Sequence, residues 1–261
     1  MKILTWNVNG IRARQAQLQE LLAAEQPDVV CLQEIKAPPD KVPELMVAPG
    51  EYWTYWHGGG GYSGVALLVR RGFSPEPPLF VHPSFDYEHR IVEATVTLAK
   101  APDTNANLRH VRFVSVYVPN GGKDFEAKMR FLQALREWLA ETVTPGTALV
   151  LCGDLNVALE ERDVHPKERK PNQIGTRPEE RALLAGVLGG GLCDVGRTLD
   201  PENDQLFTYW APWRSMRQRN IGWRIDYVLA TFPLASGART CVSMREFGTS
   251  DHAAVVATFE I

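Results

Sequence analysis

Ten short runs rich in Val, Ile, Leu and Tyr recur along this 261-residue chain, each closed by turn-forming residues. They are Ile3–Trp6, Val29–Gln33, Tyr52–Trp56, Gly64–Arg70, Ile91–Leu98, Val111–Tyr117, Ala148–Cys152, Ile225–Ala230, Cys241–Arg245 and Ala254–Phe259. Such runs, bounded by Gly, Pro, Asn or Asp, read as strands. Several, such as VVCLQ and ALVLC, are apolar throughout rather than alternating, so they need cover on both faces. Helical periodicity is confined to fewer places. In Phe125–Val143 the residues Phe125, Met129, Leu132, Leu135, Leu139 and Val143 fall three or four apart and share a face. Ile11–Glu25 repeats this more weakly through Ile11, Leu18, Leu21 and Leu22, and Thr176 and Glu179 have capping-box spacing ahead of an ALLAGVL run. Many strands with few helices predict an α/β chain of two packed sheets flanked by helices.

Nothing else in the chain competes with that reading. Hydrophobic residues make up 44% and charged residues 23%, an ordinary globular balance. A chain this long buries roughly three quarters of its unfolded surface, so disulfides are not required. The Pro-rich stretches APPDKVPEL and SPEPPLFVHP are short loops, not linkers, and residues 1–261 read as one domain. Cys31, Cys152, Cys193 and Cys241 form no C-x-x-C pair, and no Cys/His spacing is that of an ordinary zinc site. Reduced thiols, the lack of a basic and apolar leader before MKILTW, and apolar runs too short for a bilayer predict a cytoplasmic protein without a membrane partner. No heptad or long exposed edge is evident, so a monomer is expected. The net charge of −3 excludes a globally basic nucleic-acid binder but not a local basic face.

The polar residues fall at the ends of the strands. Asn7 follows ILTW, Glu34 follows VVCLQ, and VSVY ends in Tyr117 before Pro119-Asn120. Asp154 and Asn156 follow ALVLCG, Asp226 lies at the start of IDYVLA, and Ser250-Asp251-His252 precedes AAVVATF. Each has an ordinary structural reading. Asn7 and Asn9 suit an Asn-Gly turn, Glu34 a first solvated residue, Asp154 and Asn156 an Asx turn or cap, and Asp251-His252 a surface turn. Their joint occurrence around strands that share an end favours a common cleft.

WNVNGIRA, CLQEIK, YVPNGG, GDLNVA, RIDYVLA and SDH occur in this order. Together they resemble the exonuclease III family of AP endonucleases, within the endonuclease/exonuclease/phosphatase superfamily, from residue 2 to the C-terminus. The resemblance implies a four-layer αββα (DNase I-like) sandwich with its active site at one end of the paired sheets. It implies Glu34 as the main Mg²⁺ ligand with Asn7 beside it, and Asp251 close to the metal. It implies Tyr117, Asn120 and Asn156 at the scissile phosphate or its neighbours. Asp154 would prepare the attacking water, and His252, paired with Asp226, would face the phosphate.

These residue types suit the reaction. A phosphodiester is anionic and its leaving alkoxide is poor, so hydrolysis needs charge neutralisation, a deprotonated water and stabilisation of the leaving oxygen. Mg²⁺, for which Mn²⁺ is expected to substitute, takes oxygen ligands and keeps several waters, so one or two carboxylates suffice. None of the six motifs supplies a serine nucleophile, and direct attack by water is expected. Pro212–Arg224 (PWRSMRQRNIGWR) carries Arg214, Arg217, Arg219 and Arg224 with Trp213 and Trp223 and no acidic residue, a composition suited to DNA phosphates and bases but also to an exposed basic loop. The resemblance puts Tyr209, Trp223 and Ile225 in the pocket for a flipped abasic sugar, and Lys123 and Trp213 at positions from which relatives insert side chains into DNA. The expected substrates are double-stranded DNA with abasic sites, nicks or 3′ ends. The expected activities are incision 5′ to abasic sites, 3′→5′ exonuclease and 3′-phosphatase. A narrower alternative acts only at 3′ ends, because His165 lies in the divergent loop 161–175, near where some relatives carry a bulky block.

Overall fold

The computed structural model describes residues 1–47, 50–98 and 109–261. The first half runs β1 (Lys2–Asn7), α1 (Ile11–Glu25), β2 (Val29–Gln33), α2 (Glu44–Val47), β3 (Tyr52–His57), β4 (Val65–Arg70), β5 (Leu79–Val81) and β6 (Ile91–Thr97). The second runs β7 (His110–Tyr117), α3 (Phe125–Thr142), β8 (Leu149–Asp154), α4 (Pro178–Gly189), β9 (Leu192–Asp194), α5 (Val195–Leu199), β10 (Asp226–Thr231), α6 (Phe232–Ala235), β11 (Ala238–Ser243) and β12 (Val255–Phe259). Among the described residues the strands form two six-stranded sheets, ordered β11-β12-β1-β2-β4-β3 and β5-β6-β7-β8-β10-β9. Each sheet has one parallel pair at its centre, β1 with β2 and β7 with β8. A helix joins the members of each pair, as parallel pairing requires.

The continuously apolar strands are explained by two-sided cover. Ile3, Val29, Cys31, Val92, Phe113, Val150 and Val228 face the layer between the sheets. Their neighbours Leu4, Trp6, Val30 and Leu32 face the other way, against Ile11, Leu18 and Leu21 of α1. On the second sheet Val114, Val116, Leu149, Leu151 and Leu229 face Phe131, Leu132 and Leu135 of α3 and Leu184 and Val187 of α4. The order helix, sheet, sheet, helix is the four-layer sandwich. Each such Val, Leu or Ile contributes about 1.5–3 kcal/mol on burial.

Several local details differ from expectation. Helix α3 ends at Thr142, and its buried stripe runs through Ala127, Lys128, Phe131, Leu132, Leu135 and Leu139, with Phe125 and Met129 only half-buried. The rotation follows from Lys128, which turns inward to an ion pair with Glu180. The third helix begins at Pro178, and its cap is Glu180, which accepts the Arg177 N–H at 3.0 Å, not the Thr176/Glu179 pair. Thr176 instead donates its hydroxyl to the Gln173 carbonyl. The strand expected at Cys241–Arg245 is β11, which starts three residues and ends two residues earlier and pairs with β12 from Ala238 to Ser243. β5 and β9, three residues each, were not expected.

Candidate active site

The sheet topology collects the polar strand ends. The parallel pairs β1/β2 and β7/β8 finish at one edge of the sandwich, with Tyr117 opposite Asp154. β10 runs antiparallel to β8, so its first residue, Asp226, lies opposite Asp154. β12 runs antiparallel to β1, which returns the segment before it, with His252, to the same end. Gly153 is required here: a Cβ would meet the Val116 carbonyl oxygen at 1.9 Å. Glu34 and Lys36, just beyond β2, and Asn156 beyond β8 adopt left-handed backbone at φ 49°, 51° and 51°. Such strain costs on the order of 1–3 kcal/mol per residue and is held by the surrounding structure.

Buried Asn7 joins the acidic groups. Its Nδ2 donates to Glu34 Oε1 at 3.0 Å and to Asp154 Oδ2 at 2.9 Å. Tyr117 donates its hydroxyl to the same Glu34 oxygen at 2.9 Å, and Lys36 Nζ lies 2.8 Å from Glu34 Oε2. Burial alone would raise the Glu34 pKa, but the Asn7 and Lys36 hydrogen bonds and the charges of His252 and Lys36 outweigh it and hold the carboxylate below its ordinary value. The Asp154 backbone carbonyl accepts the Val118 N–H at 2.9 Å, and its Oδ1 closes the turn by accepting the Asn156 N–H at 2.9 Å. Burial pushes the Asp154 pKa up to about 7, with the Asp226 and Glu34 charges adding to it against the pull of His252.

His252 is buried with Nδ1 2.9 Å from Asp226 Oδ2, which leaves Nε2 facing Asp154, 3.8 Å away. Burial disfavours the imidazolium, but the charges of Asp226 and Asp154 overcome it and raise the pKa to about 10. Ser250 fixes the segment by donating to the Asn7 carbonyl at 2.7 Å and accepting the His252 N–H at 3.3 Å. Asn156 is fully engaged, donating to the Val118 carbonyl at 2.8 Å and accepting from Asn120 Nδ2 at 3.1 Å. Lys128 Nζ, ion-paired with Glu180, donates to the Asn156 carbonyl at 2.7 Å from below.

Glu34, Tyr117, Asn120, Asp154, Asn156, Asp251 and His252 line a cleft of about 340 Å³. Tyr209, Trp223 and Ile225 line the same cleft, the Tyr209 ring 4.9 Å from that of His252, together with Gln173, Ile174 and Gly175 of the loop expected to diverge. His165 is absent from that lining; its ring packs 6.1 Å from Phe207. Lys123 lies in an adjoining groove that shares Tyr117 and Asn120 with the cleft. Trp213 is 59% exposed, and Arg214 and Arg219 also face outward. Arg217, expected at DNA, has its guanidinium engaged within the protein: it donates to the carbonyls of Arg245, Ser250, Phe247 and Met244 and lies over the Trp210 ring. Arg224 is likewise buried in ion pairs with Asp163 and Asp194. Lys36, Ser250 and the Lys128–Glu180 pair also support the site and are not singled out by the sequence, although Lys36 closes the CLQEIK motif and Ser250 opens SDH.

The profile of the Endonuclease/Exonuclease/phosphatase family matches residues 4–252. The chain belongs to this family. A Bacillus subtilis exodeoxyribonuclease is 31% identical over 262 residues, covering 98% of both chains. Among solved structures, the 3′ phosphatase NExo from Neisseria bound to product DNA hairpin is 32% identical with a TM-score of 0.87, and an AP endonuclease from Archaeoglobus fulgidus is 30% identical with a TM-score of 0.86. Both cover 100% of this chain and of their own. The family's αββα sandwich is the fold described above. Its chemistry depends on a metal, and the residues fit one: ligand atoms of Glu34, Asp154 and His252 cluster within 4.8 Å of one another, with the Glu34 carboxylate, held ionised, as the hard oxygen donor.

Proposed function

We propose that this chain is a magnesium-dependent DNA repair phosphodiesterase that incises 5′ to abasic sites and trims 3′ ends by exonuclease and 3′-phosphatase action. The observation that carries this reading is the convergence of Glu34, Asp154 and His252 in one cleft with the apolar, aromatic surface of Tyr209, Trp223 and Ile225. Inositol-phosphate phosphatases need no such surface, whereas a deoxyribose without its base fits one. Missing stacking also eases its extrusion from the duplex.

Glu34, with Asn7 and Asp251 beside it, would hold a divalent ion, whose chemistry would be charge neutralisation at the phosphate and leaving oxygen. The carboxylate-rich, largely oxygen donor set suits hard Mg²⁺, with Mn²⁺ as a substitute. Asp154 Oδ2 receives the proton of the attacking water, and its raised pKa suits a base working near neutrality. The water oxygen bonds to phosphorus as the P–O3′ bond breaks. Asp226 accepts from Nδ1 of His252, so the imidazolium presents Nε2–H to a non-bridging phosphate oxygen. Tyr117 exchanges its present partner, Glu34, for a phosphate oxygen, and Asn120 offers the second N–H of Nδ2 to another while the first stays on Asn156. Asn156 holds Asn120 rather than touching substrate. Lys123, in the groove adjoining the cleft, and the exposed Trp213, Arg214 and Arg219 would receive the flanking duplex.

The likeness to NExo over its full length favours a second reading, a nuclease restricted to 3′ ends. The two separate on a duplex with a central tetrahydrofuran and on a nicked duplex with a 3′-phosphate, each with Mg²⁺ or EDTA. Cleavage of both with Mg²⁺ alone supports the first reading, and action only at the 3′-phosphate the second. Hydrolysis of inositol phosphates with neither DNA touched refutes both.

A further inference from the structure

Three of the chain's six histidines gather outside the catalytic cleft. His57 ends β3, an edge strand of the first sheet, and His82 follows β5, an edge strand of the second. His89 and Asp86 lie in the loop that leads to β6. The two edges face each other, since the rings of Tyr55 on β3 and Phe80 on β5 stack at 5.3 Å. The His57 ring lies 4.0 Å from that of His82 and 4.7 Å from that of His89. Ligand atoms of His57, Asp86 and His89 all lie within 4.8 Å of one another.

We propose that His57, Asp86 and His89, with His82 as fourth donor, bind a zinc-class divalent transition ion that clamps the two sheet edges together. Imidazole and carboxylate are the donors such ions take, at about 2.0–2.2 Å, and four of them complete a closed tetrahedral site. Three of the groups are already gathered, and His82, whose Nε2 now bonds the Tyr55 hydroxyl at 2.9 Å, joins through Nδ1 or by giving up that bond. Hydrogen bonds fix the Asp86 carboxylate in place. Its Oδ1 accepts the N–H groups of Arg90 and Ile91 at 2.8 and 3.1 Å, leaving Oδ2 toward His57 at 2.6 Å. Carboxylate orientation of this kind is a regular feature of metal sites. An ion pair accounts for His57 and Asp86, and the Tyr55 hydroxyl, 2.9 Å from Nε2, for His82, but neither accounts for the His89 ring gathered against them. Burial and the neighbouring His57 hold His82 and His89 below the ordinary imidazole range, so the neutral, lone-pair-bearing form prevails. The site differs from the catalytic one in character, nitrogen-rich rather than carboxylate-rich, and therefore selects a different metal. It also anchors the loop whose Arg90 guanidinium lies 4.7 Å over the Tyr117 ring.

The test uses the full chain carrying Glu34→Gln, which removes the principal catalytic metal ligand, stripped with a chelator and freed of it. Zn²⁺ is titrated against a chromophoric competitor, Co²⁺ is titrated while its visible spectrum is recorded, and thermal melts are taken with and without Zn²⁺. The expected result is one Zn²⁺ per chain, intense tetrahedral Co²⁺ bands and a higher Tm with Zn²⁺. Adding His57→Gln or His89→Gln weakens binding by about a hundredfold or more, since loss of a mere outer partner costs about 10–100-fold. Both abolish the Tm shift, while His165→Gln changes nothing. His89 is half-buried, so its variant tests the site even where His57→Gln fails to fold. Zn²⁺ affinity unchanged in His89→Gln, no binding in the Glu34→Gln chain, or loss of binding with His165→Gln overturns the proposal.

Discussion

The raised pKa of Asp154 makes its ionised form a burden on the folded state, and Asp154→Asn exposes that burden. The group's pKa rises from an ordinary 3.8 to about 7, chiefly through burial. A carboxyl raised on folding contributes most below its unfolded pKa, and that contribution is lost as pH rises to the folded value. Three units correspond to about 4 kcal/mol once both states are ionised, and the part that develops between pH 5 and pH 8 is about 2–3 kcal/mol. Asparagine has no such titration. It does carry a fixed penalty: Oδ1 accepts from Asn156 N–H and Oδ2 from Asn7 Nδ2, so an amide must set one donor against another, at about 1–3 kcal/mol. Urea unfolding in EDTA should therefore show the variant less stable than, or level with, the parent at pH 5, and gaining on it by about 2–3 kcal/mol by pH 8. A difference that is flat with pH refutes the electrostatic account of Asp154. The same variant should nick an abasic duplex at least about a hundredfold more slowly, the typical share of a positioned base.

Other expectations follow from the same geometry. His252→Ala should lower nicking by about a hundredfold or more with the fold retained by circular dichroism, and in the parent the rate should fall as pH rises through about 10, where the imidazolium is lost. Arg214→Ala with Arg219→Ala should reduce the salt dependence of DNA affinity, by a slope of about 1 for each phosphate contact removed. Arg217→Ala should leave that slope unchanged and lower the Tm, because its guanidinium is bonded to four backbone carbonyls. Lys128→Met strands the buried Glu180 carboxylate and should cost about 3–5 kcal/mol in urea unfolding.

The sequence made the cleft legible because each buried strand there meets a polar residue at its border. Asn7, Glu34, Tyr117, Asp154, Asp226 and His252 converge through strand direction alone, since two parallel pairs and two antiparallel returns share an edge. What stayed hidden depends on partners remote in sequence. Lys128 looks like a solvated helix position until Glu180 draws it in. Arg217 and Arg224 look like DNA contacts in a basic run, yet carbonyls and carboxylates from other segments claim them. β5 and β9 carry too few residues for a period to register, and edge strands bring His57 and His82 together from separate sheets.

The mechanism turns on whether the acidic, amide and imidazole groups at this sandwich edge act on one phosphate through one cation site. Anomalous diffraction from crystals of the chain with Mn²⁺ and a tetrahydrofuran-containing duplex measures this directly. The mechanism predicts a manganese peak between Glu34 and the phosphate 5′ to the tetrahydrofuran, with Nε2 of His252 and the Asp154 carboxylate reaching the same phosphate and its water. A manganese peak remote from Glu34, or a scissile phosphate lying outside reach of His252 and Asp154, contradicts it.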